Sequence, residues 1–302
     1  MNNQNDILVS ICSITYNQAP YIRQCLDGFL MQKTNFKFEI IIHDDCSTDG
    51  TTDIVREYAE KYPDVIVPII QSVNQYQNGN KRILATFVYP KVRGKYIAIC
   101  EGDDYWTDPL KLQKQVVFLE SHPDYSMCFH RAMILKEYEC KVGLKCDDIE
   151  NREYNPNELF KTWKVPTASI VARHAVVEVQ NTGSDRILNG DIVIVLNCAS
   201  VGKIYGMSDV MSVYRVQGTG VTYDPKAKYI RYMKYPDHFL FIKDNYLFLN
   251  KFYVNKKIAR AFLNRRKFQK SIKAYLHDFL LACYYNPLFF IEKIQNLTEK
   301  DR

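Results

Sequence analysis

Tyr96-Ile-Ala-Ile-Cys-Glu-Gly-Asp-Asp-Tyr-Trp-Thr-Asp108 is the stretch whose reading decides the fold. It begins as an apolar run, Tyr96 to Cys100, with the length and composition of a buried strand. Three carboxylates then arrive within four residues: Glu101, Asp103 and Asp104, with Gly102 among them. Like charges crowded at a strand end repel one another. They need a cation, a phosphate-bound metal or full solvation. Carboxylate oxygens suit a hard divalent ion such as Mg2+ or Mn2+, which keeps coordination sites for phosphate oxygens. Gly102 is expected to let the backbone turn sharply and approach a ligand closely. The competing reading is a solvated acidic turn between a strand and a helix, since short acidic turns are common.

Upstream, the same alternation occurs twice more. Leu8 to Thr15 reads as a strand, Tyr16 to Pro20 as a loop, and the residues after Pro20 as a helix in which Tyr21, Ile22, Cys25, Leu26, Phe29 and Leu30 recur at helical spacing. Phe38 to His43 is a second apolar strand, ending at Asp44-Asp45-Cys46-Ser47-Thr48-Asp49-Gly50. Ser47, Thr48 and Asp49 can cap the helix that follows. Capping explains Thr48 or Asp49, but not Asp44 and Asp45 together. Val65 to Ile70 is a third strand, Ser72 to Lys81 a polar loop, and Arg82 to Val88 a short helix. Asp108-Pro109 opens another helix, with Leu110, Val117, Phe118 and Leu119 among its apolar positions.

Strands alternating with helices in this way indicate a Rossmann-like, mostly parallel α/β sheet flanked by helices. In such sheets the ligand lies outside the carboxyl ends of the strands. Thr15-Tyr16-Asn17, Asp44-Asp45 and Glu101-Asp103-Asp104 all fall at such ends. No GxGxxG follows the first strand, which disfavours a dinucleotide fold. The absence of GxxxxGK[ST] excludes a P-loop.

The 302 residues suffice for one large domain or two. Hydrophobic residues make up 47% and charged residues 25%, the balance of a globular protein, and a net charge of +6 does not argue for nucleic acid. Nine cysteines form no CxxC pair, and several sit in apolar runs, so they read as reduced thiols rather than a zinc site. Met1 to Asp6 lack the features of a signal peptide, and no apolar stretch is long enough to span a bilayer. The expectation is a cytoplasmic protein.

Taken together, Val9-Ser-Ile-Cys-Ser-Ile-Thr-Tyr-Asn17, Asp44-Asp-Cys-Ser-Thr-Asp-Gly-Thr51 and Glu101-Gly-Asp-Asp-Tyr-Trp106 resemble a family 2 glycosyltransferase of the inverting, GT-A type. The resemblance is strongest over the first 125 residues or so and continues to about residue 224. It implies a GT-A catalytic domain over residues 1–224 and a helical extension over 225–302. By resemblance, Asp45 is the acid that reads the nucleotide base, usually uracil, Thr15 and Tyr16 flank base and ribose, and Asn17 belongs to the same donor-binding loop. Glu101-Gly-Asp103 resembles the DxD motif with Glu in its first position. Asp103 is then the acid that ties Mn2+ or Mg2+ to the diphosphate, and Asp104 supports the sugar or the metal's water shell. Trp106 and the segment Val165 to Val171, with Thr167 and Ser169, face the acceptor. A plain strand start explains Thr167 and Ser169 equally well.

Asp191 follows Asn189-Gly190 ahead of an apolar helical stretch, and by chemistry alone it is an N-cap. The resemblance makes it the general base. The two roles are compatible, because a helix N-terminus steadies a carboxylate. Lys203 to Val216 reads as a closing β element. Arg215 contacts the donor phosphate or forms an ordinary salt bridge. Gln217 stands where many relatives carry His, and Gln is a poor metal ligand. Gly218 and Gly220 suggest a loop that closes over the donor. Before that, Tyr125 to Leu135 reads as strand, Lys136 to Tyr154 as loop or ragged hairpin, and Pro156 to Trp163 as a short helix.

Beyond residue 224, Tyr229 to Asn250 and Lys256 to Tyr285 read as helices rich in aromatic and basic residues, and Leu288 to Ile291 add an apolar patch. Such helices either pack on the catalytic domain with a solvated basic face or attach peripherally to an anionic membrane at its inner face. The expectation for the whole chain is a metal-dependent hexosyl- or N-acetylhexosaminyl-transferase. It would move sugar from a UDP-linked donor to a glycan or lipid-linked oligosaccharide in bacterial surface polysaccharide synthesis. The rival is a non-catalytic sugar-nucleotide-binding or scaffolding protein. The intact set of acids at positions 101, 103, 104 and 191 speaks against that rival.

Overall fold

The computed structural model describes residues 7–139, 141–178, 185–217 and 225–288. The Gly218–Gly220 loop, the 289–291 part of the apolar patch and Met1 to Asp6 lie outside the described residues. Ten strands are described: β1 Ile7–Thr15, β2 Lys37–Asp44, β3 Ile66–Ile70, β4 Tyr96–Ile99, β5 Tyr105–Trp106, β6 Tyr125–Lys136, β7 Lys141–Lys145, β8 Arg152–Glu153, β9 Val171–Arg173 and β10 Lys203–Val216. The helices are α1 Ala19–Leu30, α2 Thr51–Lys61, α3 Lys111–Ser121, α4 Pro156–Lys161, α5 Ala175–Glu178, α6 Gly190–Val201, α7 Pro225–Asn245, α8 Lys251–Arg265 and α9 Ile272–Tyr285.

The strands form one sheet in the order β3-β2-β1-β4-β9-β6-β10-β5, with β7 on β6 and β8 on β10. The β3-β2-β1-β4 half is parallel, and so is the β6-β10 pair. The short β9 joins the halves by running antiparallel to both β4 and β6. Side-chain alternation splits the core between the two faces. Val9, Ile11, Ile40, Ile42, Tyr96 and Ala98 pack with α1, α2 and α3. Cys12, Ile41, Ile97 and Ile99 pack with α4 and with Ile194, Val195 and Cys198 of α6. Both faces are covered, so β1, β2 and β4 need near-continuous apolar sequence.

Parallel register aligns the strand ends. Thr15 of β1 lies opposite Asp44 of β2. On the other side of β1, Cys12 pairs with Ile99 of β4. The loop after β1 therefore lies between the ends of β2 and β4, which brings the three polar clusters to one edge.

Several local expectations are corrected. α3 buries Leu112, Val116 and Leu119, an i, i+4, i+7 stripe, whereas Leu110 precedes the helix and Val117 lies off that stripe, and both are exposed. The residue before α2 is Gly50 at φ 97, and no side chain caps it. Asp49 instead accepts from the Ala19 N–H at 3.0 Å and the Thr51 N–H at 3.1 Å, tying the starts of α1 and α2 together. Asp191 is the second residue of α6, in its first turn, rather than its N-cap. The expected helix over residues 256–285 is two helices. Ser271 interrupts it, its hydroxyl accepting from the Ala274 N–H at 3.1 Å to start α9.

Two compact units are present: residues 1–183 with 194–218, and residues 184–193 with 219–302. Within the second unit α8 packs on both α7 and α9. Arg265 of α8 holds Asp278 of α9 through two nitrogens, at 3.0 and 2.6 Å. Leu188 donates its N–H to His238 Nδ1 at 3.3 Å.

Candidate active site

The site is built on the turn that leaves β4. Gly102 donates its N–H to the Ile14 carbonyl of β1 at 2.9 Å. A Cβ at position 102 would stand 2.6 Å from Gln18 Oε1 and 2.9 Å from both Cβ and Oγ1 of Thr15. Its φ is not in the left-handed region. The chain does turn sharply here, closed by the Asp104 N–H on the Glu101 carbonyl, but the close approach of β1 rather than a left-handed φ is the reason for glycine. The Cys25 and Cys100 thiols donate to the Glu101 carbonyl at 3.5 and 3.6 Å, and Asp104 donates its N–H to the same oxygen at 3.0 Å.

The three acids sit in different environments. Glu101 is exposed, Asp103 half-buried and Asp104 buried. Burial pushes the Asp103 carboxyl up, against the lowering pull of its hydrogen bonds and of Arg215. Asp104 is raised well above the usual carboxylate range by burial and then by the charges of Asp103 and Glu101. Asp103 Oδ2 accepts from Gln217 Nε2 at 2.8 Å. Asp104 Oδ1 accepts from the Arg215 N–H at 2.8 Å.

Arg215 is only 8% exposed, and its guanidinium is committed inside the fold. Nε donates to the Asp103 carbonyl at 2.8 Å and one terminal nitrogen to Gln24 Oε1 at 2.6 Å. The other terminal nitrogen bonds Glu137, which also accepts from the Tyr21 hydroxyl at 2.9 Å. Arg215 therefore holds the acidic turn against α1, rather than presenting its charge to a phosphate.

On the β2 side, Asp44 is buried and accepts from Ser47 and Thr52. Asp45 accepts from the Gln75 N–H at 2.8 Å and the Tyr76 N–H at 3.0 Å, one on each carboxylate oxygen. Sequence reading saw residues 72–81 only as a polar loop; the structure makes their amides the orienting partners of Asp45. Asn17, at φ 51, accepts from the Thr48 N–H at 2.8 Å and donates its own N–H to Ser47 Oγ at 2.9 Å. Tyr16 and Tyr76 are 39% and 41% exposed, leaving aromatic rings at this edge.

Trp106 and Ser169 do not face outward. Trp106 is 2% exposed, donates Nε1–H to the Ala168 carbonyl at 2.9 Å and packs edge-on against Phe29. Ser169 is fully buried, its hydroxyl donating to the Pro166 carbonyl at 2.6 Å. Both are corrected to structural supports. Thr167 is half-buried at the start of the short helical turn that ends at Ser169. Asp191 is half-buried in the second unit, where its charge helps to raise the Tyr235 hydroxyl, after burial and against Arg231.

Among the described residues no group of three or more His, Cys, Asp or Glu is arranged to hold a metal by itself. Asp103 with Glu101 fits a divalent cation that takes its remaining ligands from phosphate and water.

The family model described as "Glycosyl transferase family 2" matches residues 10–171, from β1 to the start of β9. Over 217 residues the chain is 38% identical to "Uncharacterized protein Rv1520" of Mycobacterium tuberculosis, covering 70% of this chain and 60% of that protein. The chain thus spans 60% of the length of that relative. The S. aureus TarS 1-349 structure in complex with UDP-GlcNAc superposes with a TM-score of 0.63 at 17% identity, covering 91% of this chain and 81% of that one. The mannosyltransferase PcManGT from Pyrobaculum calidifontis, in complex with GDP-Man and Mn2+, gives 0.56 at 18% identity, covering 97% and 86%. These likenesses establish the fold that the sequence led us to expect.

Proposed function

The chain belongs to glycosyl transferase family 2, and on that premise we propose that it transfers a hexosyl or N-acetylhexosaminyl group from a UDP-linked donor to a hydroxyl of a glycan or lipid-linked oligosaccharide, with inversion, in bacterial surface polysaccharide synthesis. The observation that carries the reading is the meeting of Thr15-Tyr16-Asn17, Asp44-Asp45 and Glu101-Asp103-Asp104 along one sheet edge. Independent caps have no reason to gather there. The UDP-GlcNAc and GDP-Man complexes of fold neighbours support a nucleotide-sugar donor.

In this reading Asp45, fixed by the Gln75 and Tyr76 amides, accepts the uracil N–H with its remaining lone pairs. Tyr16 and Tyr76 bracket the base, and Thr15 and Asn17 shape the ribose side. Asp103 with Glu101 would hold Mn2+ or Mg2+, and that ion, when bound, supplies charge neutralisation for the departing diphosphate. Gln217 positions Asp103, and Arg215 fixes the turn that carries it, through the Asp103 carbonyl and the Asp104 carboxylate. Asp191 takes the proton of the acceptor hydroxyl. The oxygen so released forms a bond to the anomeric carbon, the bond from that carbon to the diphosphate oxygen breaks, and the electron pair leaves on UDP. Thr167 is the acceptor-side hydroxyl of the set. The basic helices of the second unit suit a protein that works beside a membrane.

A thermal-shift screen of UDP, GDP, CDP and dTDP, each with and without Mn2+, tests this reading, because binding to the folded state raises Tm by mass action. A metal-dependent rise with UDP supports it. A rise with another nucleotide overturns the role of Asp45 but keeps the enzyme class. No rise with any of them overturns the donor site.

A further inference from the structure

α9 carries an apolar ridge that is exposed among the described residues. Ile272, Leu276, Leu280 and Tyr284 recur every four residues and are 81%, 49%, 66% and 75% exposed. Twelve residues of helix at about 1.5 Å rise make a ridge of about 18 Å along one side. The opposite side of α9 packs inward, with Asp278 and Ala282 buried and Asp278 held by Arg265. Lys267 and Lys270 are exposed just before the helix and Lys273 within its first turn. At about 100° per residue, Lys273 falls within the arc of the ridge itself.

The charge distribution decides what such a ridge meets. Residues 225–288 contain fourteen Lys and Arg against three Asp and no Glu, a net of +11. The whole chain carries +6, so everything else carries −5. A second copy would bring two such surfaces together against their mutual repulsion. An anionic bilayer satisfies both parts at once: its acyl boundary takes the apolar side chains, and its headgroups the lysines. No helix among the described residues is long and apolar enough to cross a membrane, so contact at the surface is the available mode.

We propose that the Ile272-Leu276-Leu280-Tyr284 ridge of α9, with Lys267, Lys270 and Lys273, is a docking surface for an anionic lipid bilayer. The inference concerns where the protein works and does not rest on the transfer chemistry. Co-sedimentation of the full chain with vesicles tests it, comparing pure phosphatidylcholine with a 70:30 mixture of phosphatidylcholine and phosphatidylglycerol as probes (about one-third anionic lipid, enough to set a surface potential). Binding to the anionic vesicles should be at least about tenfold tighter than to the neutral ones and should fall with salt. The double variant Leu276→Asp/Leu280→Asp should weaken it by at least about tenfold at unchanged Tm, and Lys267→Glu/Lys270→Glu/Lys273→Glu should flatten the salt dependence. Leu280→Trp should show fluorescence quenching by brominated lipid, which keeps the test decisive if the double variant misfolds. Three results would each overturn the proposal. The first is vesicle binding that ignores both sets of changes. The second is an α9-dependent dimer without vesicle binding. The third is binding that appears only after removal of residues 289–302, which would assign the ridge to that segment. The UDP thermal shift, measured on the same samples, separates failure here from failure of the donor site.

Discussion

Replacing Gly102 by Ala tests whether the acidic turn is shaped by its contact with β1. The new Cβ would lie 2.9 Å from Thr15 Cβ and Oγ1 and 2.6 Å from Gln18 Oε1. Carbon atoms rest at roughly 3.5–4.0 Å, so more than about half an ångström must be found. Gln18 can swing away. Thr15 cannot, because the neighbouring Ile14 carbonyl accepts the Gly102 N–H at 2.9 Å. Overpacking of this kind costs about 1–3 kcal/mol. At roughly 2–4 °C per kcal/mol for a unit of this size, a cost near the middle lowers Tm by about 4–8 °C. The catalytic effect should be larger, since Asp103 moves with the turn and misplacement by about 1 Å can cost about a hundredfold. We expect kcat/KM to fall by about that factor, measured as UDP released, with a weakened UDP thermal shift. Gly143→Ala is the control. Its Cβ meets only Ile134 Cγ2 at 3.5 Å, an ordinary contact, so both activity and Tm should hold. A Gly102→Ala protein with full kcat/KM and an unchanged melt would refute the argument.

Arg215→Met removes the bonds to Asp103, Gln24 and Glu137; chemical denaturation should register a loss of about 3 kcal/mol, reduced from a fully buried case by the partial exposure of Glu137. Arg215→Lys should not restore it, because an ammonium cannot span three partners in one plane. Asp191→Asn should leave the UDP thermal shift near wild type while transfer falls by about a thousandfold, read in initial rates. Burial pulls Lys111 down to about 7 from 10.5; its stabilising contribution is then present above the unfolded value and lost as pH falls through the folded one, so Lys111→Met should flatten stability against pH across that window. Asp104 has the opposite sign. Its raised carboxyl contributes stability below the unfolded value of 3.8 that is lost as pH rises through the folded one; Asp104→Asn, which keeps an acceptor for the Arg215 N–H, should raise Tm at neutral pH, and a lowered Tm would reject the sign.

The strands were legible because burial on both faces demands continuous apolar sequence. Lys203–Val216 is observed with the bounds expected for it, β1 extends one residue further at its start, and β2 one residue further at each end. The sequence was less informative wherever the deciding contact is remote. Nothing near β9 announces that three residues will run antiparallel between β4 and β6. Apolar residues continue through Phe262, Phe268 and Ile272, so the break before α9 depends on the Ser271 cap rather than on periodicity. The acids of the site were visible as residue types at strand ends. Their supports were not: Glu137 lies 78 residues before Arg215, and Gln24 lies 191 before it.

Those remote supports explain how an unfavourable turn persists. Asp103 and Asp104 are both raised by burial, so ionising them costs free energy that the fold must offset. Arg215 could have neutralised them directly. Its side-chain bonds instead go to the Asp103 carbonyl, Gln24 and Glu137, and it meets the Asp104 carboxylate only through its backbone N–H. The guanidinium fixes the shape of the turn without occupying the carboxylates as a partner. A ligand that brings positive charge to Asp103 then gains what the apo fold leaves unmet. The UDP thermal shift with Mn2+ should accordingly shrink in Asp103→Asn, even though removing the buried charge stabilises the unliganded protein.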